Sequence, residues 1–104
     1  MNAERLTVRA TPDFFEDLDR QLGHERGPNG EPSVNDFQVL ELFRIVEKFA
    51  VGFWSMPVLI IGRPDYRLLV AAGAIVPRYS VIGQLASDGA VELIQLDLDL
   101  EAGW

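Results

Sequence analysis

A chain of 104 residues with 48% hydrophobic content has the length and apolar fraction for one domain, residues 1–104, built on a single core. The absence of cysteine excludes a disulfide framework, a thiolate metal site and a cysteine nucleophile, and fits a cytoplasmic protein. Nine basic residues against 16 acidic ones give a formal charge of −7, and Lys48 is the single lysine, so the cation cluster that phosphate binding demands is missing and RNA is disfavoured as the main ligand.

The opening Met1–Arg5 carries neither the basic start nor the apolar run of a signal peptide. The longest apolar stretch, Phe49 to Gly62, is too short to cross a bilayer, so no membrane association is expected. Leu6, Val8 and Ala10 alternate with Thr7, Arg9 and Thr11, the period of a half-buried first strand. Thr11-Pro12-Asp13 then supplies a capping hydroxyl, a proline suited to the first helical position and an acid for the positive helix end. The helix that starts there is predicted to bury Phe15, Leu18 and Leu22. Gly23 ends it, and the Gly/Pro-rich stretch from Gly23 to Pro32 reads as a loop.

Ser33 and Asp36 have the spacing of a capping box, which predicts a second helix running to about Ala50 with apolar residues on more than one stripe. Val51 to Pro57 is a connector whose dense aromatics, Phe53 and Trp54, are expected in the core; exposed, they would mark a docking patch. Val58–Ile61 is a short strand, Gly62–Asp65 a turn, Tyr66–Ala72 a strand, Gly73 a turn, and Ile75–Leu85 a long strand with irregular points at Pro77 and Gly83. Ser87-Asp88-Gly89 is a hairpin turn. In the last strand, Ala90 to about Leu100, Leu96, Leu98 and Leu100 face the core while Asp97, Asp99 and Glu101 face water.

The segments "VRATPDFFEDLDRQL" and "DYRLLVAAGAIVPRYSVIGQLASDGAVELIQLDLD" resemble the opening strand and helix and the C-terminal meander of the RelE/ParE superfamily of toxin–antitoxin toxins. The resemblance spans nearly the whole chain and implies an α+β fold of order β-α-α-β-β-β, two helices packed on an antiparallel sheet. Ribonucleases of the superfamily cut ribosome-bound mRNA with arginines and a proton-handling side chain, whereas its gyrase inhibitors do no chemistry. The positions that match the family's basic places are Arg67, after Tyr66, and Arg78, before Tyr79, so Arg67, Arg78 and Tyr79 are the candidate catalytic residues, with no cofactor and no metal. In place of the family's basic C-terminal segment stand Asp97, Asp99 and Glu101, which repel phosphate.

Each candidate has a structural reading beside the functional one. Arg67 and Arg78 would pair with sheet carboxylates such as Glu92 or Asp97, and Tyr66 and Tyr79 would pack across strands. His24 sits in the loop as a surface residue, and the alternating acids of the last strand form a solvated face in preference to a cation site. Trp104 would dock on the helix pair or on a partner subunit. Three functions remain open: an antitoxin-type partner binder, whose partner is basic where it meets the acidic sheet; a ribonuclease whose Arg67, Arg78 and Tyr79 converge on one concave surface; and a homo-oligomeric interaction domain.

Overall fold

The computed structural model describes residues 5–101, so Trp104 and its docking lie outside the described residues. The helices follow from their caps. Thr11 accepts from the Phe14 amide at 3.4 Å and donates its hydroxyl to the Leu93 carbonyl at 2.8 Å, fastening the start of α1 (Pro12–Gln21) to the sheet. Phe14 and Leu18 are its buried stripe, continued by Leu22, while Phe15 is only half-buried; the register differs by one residue from the sequence expectation at that end.

Ser33 and Asp36 form the expected capping box, with both reciprocal bonds at 3.0 Å. The single helix expected from there to Ala50 is instead two, α2 (Val34–Leu40) and α3 (Leu42–Gly52), meeting at Glu41. Glu41 is buried, and its carboxylate accepts from the Ile75 amide at 3.0 Å, so an acid on the inner side of the junction satisfies a loop N–H that would otherwise be orphaned. A single 3-10 turn, Phe53–Ser55, follows α3 and drives Phe53 into the core.

Among the described residues five strands form one sheet: β1 (Val8–Ala10), β2 (Val58–Ile60), β3 (Arg63–Ala71), β4 (Arg78–Leu85) and β5 (Val91–Asp99), in the order β1-β5-β4-β3-β2. β2 to β5 run antiparallel to their neighbours, but β1 pairs with β5 in parallel, so the sheet is mixed where an antiparallel one was expected. Chain direction explains this: β1 and β5 are joined only through the whole intervening chain, so no hairpin forces them to oppose.

The expected turn at Gly62–Asp65 lies earlier. Ile61 and Gly62 make it, Gly62 at φ 84°, and Arg63-Pro64-Asp65 already belong to β3. The long strand expected from Ile75 begins at Arg78.

All buried residues of β3, β4 and β5 share one face, which packs against the helices. Leu93 and Leu96 both reach it although three residues apart, because Ile94 is an extra residue: Ile82 pairs with Gln95 and Gly83 with Leu93. Gly83 has a packing reason to be glycine, since a Cβ there would stand 2.4 Å from the Phe49 ring of α3. Phe14, Phe37, Phe49 and Phe53 fill the space between, each contributing about 2–3 kcal/mol by burial. Among the described residues no helix is long and apolar enough to cross a membrane.

Candidate functional site

Strand register separates the three candidate catalytic residues. Arg67 lies opposite Gly83, and Tyr79 opposite Ala71 and Leu98, so both belong to the helix-covered face. Arg78 lies opposite Asp99 and belongs to the other face, which no helix among the described residues covers. Gly83 and Arg78 are five residues apart on β4, so Arg67 and Arg78 stand about 16 Å apart along the strands as well as on opposite sides of the sheet. The convergence that a ribonuclease site needs is not present.

Arg67 is 8% exposed and its guanidinium is spent on the backbone. It donates to the carbonyls of Pro64 at 2.7 Å, Trp54 at 3.0 Å and Met56 at 2.9 Å, and lies over the rings of Phe53 and Trp54 at 5.4 and 5.3 Å. The carboxylate pairing expected for it from sequence gives way to this carbonyl cage. One arginine thereby holds the connector between α3 and β2 against β3. Trp54, expected in the core, is 59% exposed, with its ring in edge contact with Phe53.

Tyr79 is in the core, and its buried hydroxyl has no hydrogen-bond partner among the described residues. Burial first, and then the negative Glu41, push its phenol up to about 12 against the opposing effect of Arg44, so it stays protonated at neutral pH and is sealed from any substrate.

The open face is built in rows across the strands. Tyr66, Gln84, Glu92 and Arg9 form one, Leu68, Ile82 and Gln95 the next, then Val70, Ser80 and Asp97, then Arg78 and Asp99. Its middle is apolar, and its β5 side is acidic. Most cations near it are already matched: Arg9 bonds Asp88 at 2.8 Å and Glu92 at 3.1 Å, and Arg63 bonds Asp65 at 3.0 Å and lies 4.7 Å from the Tyr66 ring centroid. The Arg9 bond holds the Asp88 carboxyl below its usual range, and the Arg63 bond does the same for Asp65. A phosphate arriving here meets neutralised arginines and a column of carboxylates.

Beside this face, α1 and β5 enclose an open groove of about 600 Å³ lined by Asp13, Glu16, Asp17, Arg20, Gln95 and Asp97 among others. Arg20 is itself bonded to Asp17. His24 is exposed in its loop, and among the described residues no group of three or more histidine or acidic side chains is arranged to hold a metal.

Sequence reasoning missed two features. One is the Arg67 cage, whose only trace is an arginine at mid-strand opposite a glycine. The other is the bare outer edge of β2, which had a visible signal: no charge from Phe53 to Gly62. Comparison of the chain with models of protein families, with curated proteins and with solved structures finds no match.

Proposed function

We propose that this chain is a RelE/ParE-type domain of a toxin–antitoxin pair that acts in the cytoplasm by holding a cognate basic protein, and that it does not cleave RNA. The observation that carries this is the placement of Arg67 and Tyr79 on the covered face, one consumed by backbone carbonyls and the other closed in the core, which leaves Arg78 alone among carboxylates. The order of elements, a first strand, helices and then a C-terminal run of strands, supports the family reading. The acidic groove of α1 and β5 and the apolar middle of the open face give a basic, amphipathic partner segment both charge and burial.

The test is expression in bacteria, alone and together with the product of an adjacent short reading frame, following growth, bulk mRNA and co-purification. Intact mRNA with stoichiometric capture of a basic neighbour is the expected result. Loss of mRNA that Arg78→Ala abolishes would overturn the reading. Arg67→Ala is unsuited to this test, because removing the carbonyl cage disturbs the fold itself.

A further inference from the structure

We infer that β2 is a self-association edge, at which two copies of this chain join antiparallel, β2 to β2, about a twofold axis at Leu59 to make one continuous sheet with five strands from each copy. This concerns a different surface from the proposed partner site and does not depend on it.

β2 is the last strand in the sheet order, so among the described residues no strand lies beyond its outer backbone groups. Edge strands are ordinarily protected by being very short, by charges, by bulges that turn them away or by a covering element. β2 is only three residues long and its register with β3 shifts between Val58 and Ile60, but it carries no charge: Val58, Leu59 and Ile60 are 40–46% exposed and Ile61 is fully exposed. The strand is also firmly presented. Val58 pairs with Arg67, whose cage anchors the connector leading into β2, and the Pro57 carbonyl accepts from the Leu68 amide at 3.0 Å. An edge held in strand geometry has already met most of the ordering cost of pairing.

Charge selects the occupant. The chain carries −7, yet the Phe53–Gly62 segment is uncharged, and the acids of the α1–β5 groove lie at the far side of the sheet. From β2 to β5 is about 14 Å across the strands, beyond the screening length of about 8 Å at physiological salt. A twofold at β2 sends the two acidic grooves to opposite ends of the joined sheet, so a second copy meets little repulsion. A basic strand would find no carboxylate on β2 itself to reward its charge.

The segment is also complementary to itself. With Leu59 at the midpoint of the strand, antiparallel pairing sets Val58 of one copy against Ile60 of the other on both sides of the axis, the β-branched pairing that sheets favour. Trp54, stacked on the arginine that pairs with Val58, widens the patch. These side chains expose on the order of 500 Å² per copy, comparable with the largest apolar patch of a typical monomer. Complete burial of this patch on both copies would cover about 1,000 Å², the lower bound for a specific interface, so the dimer is expected to be weak and reversible.

Sedimentation equilibrium of the purified chain over a wide concentration range tests this without any partner present. The expected result is a monomer–dimer equilibrium that Leu59→Lys abolishes and Phe43→Lys, at an exposed apolar position on α3, leaves unchanged. A second measurement covers the case in which Leu59→Lys does not fold. The chain has no cysteine, and residues facing each other across an antiparallel pair have Cα atoms about 4.5–5.5 Å apart, within disulfide reach. Leu59→Cys should therefore cross-link two chains under mild oxidation while Phe43→Cys does not. A wild-type chain that stays monomeric throughout, a dimer dissolved by Phe43→Lys and not by Leu59→Lys, or equal cross-linking of the two cysteine variants would each overturn the inference.

Discussion

On the β1 side of the sheet, β5 outruns its three-residue neighbour, and the exposed stretch of its edge is closed by side chains of α1. The Asp17 carboxylate accepts from the Leu96 amide at 3.0 Å, the Gln21 carbonyl from the Leu98 amide at 2.6 Å, and the Gln21 amide donates to the Leu96 carbonyl at 2.8 Å. Arg9, between Asp88 and Glu92, puts charge on β1 itself. On the β2 side the described residues supply neither side-chain closure nor charge, and Val58, Leu59 and Ile60 are exposed. The same sheet thus has one edge finished against further pairing and one left able to pair. The difference shows where a neighbouring chain is admitted, since unsatisfied strand edges recruit partners and saturated ones do not.

The bare edge depends most on Arg67. Arg67→Ala removes three hydrogen bonds from a charged donor and leaves the Pro64, Trp54 and Met56 carbonyls unmatched, so a loss of roughly 3 kcal/mol or more is expected in urea denaturation. Arg67→Lys should recover only a minor part, because an ammonium lacks the planar fork. A loss below about 1 kcal/mol would mean that the cage contributes little to holding β2.

The closed edge should open when its plug is removed. Gln21→Ala strands the Leu98 amide and the Leu96 carbonyl, with an expected cost of about 1–3 kcal/mol and faster hydrogen exchange at Leu98. Unchanged exchange there would show that the Gln21 side chain is not what protects this edge.

The smallest effect is electrostatic. The Arg9 hydrogen bond lowers the Asp88 carboxyl in the folded chain, so the unfolded chain binds the proton more readily. The stabilisation is present above the ordinary carboxylate range, near pH 4, and fades as pH falls through the lowered folded value. Melting temperatures of the wild type and Arg9→Ala should differ by a few degrees at most at neutral pH and converge in acid. A difference that grows on acidification would contradict the sign.

Local signals were readable before the structure. Thr11-Pro12 and Ser33/Asp36 place two helix starts through bonds that span only three residues, and the Leu96/Leu98 alternation against Asp97 and Asp99 states its own face. What escaped depends on residues far apart in sequence. The long helix breaks at Glu41, whose carboxylate accepts from the distant Ile75 amide, and β1 finds its parallel partner at the other end of the chain. Arg63-Pro64-Asp65 has the composition of a turn, but the positive φ belongs to Gly62, and pairing to β2 makes strand of the rest. Arg67 and Tyr79 looked like site residues because an arginine and a tyrosine read alike in sequence whether they face a substrate or the connector and core that enclose them here.

Hydrogen exchange of the wild-type chain, compared between dilute and concentrated solution, tests the contrast between the two edges most directly. The amides of Leu96 and Leu98 should be protected equally at both concentrations, while protection within Val58–Ile61 rises with concentration as β2 meets its copy. Exchange in Val58–Ile61 that is independent of concentration, or protection that rises along β5 instead, would contradict it.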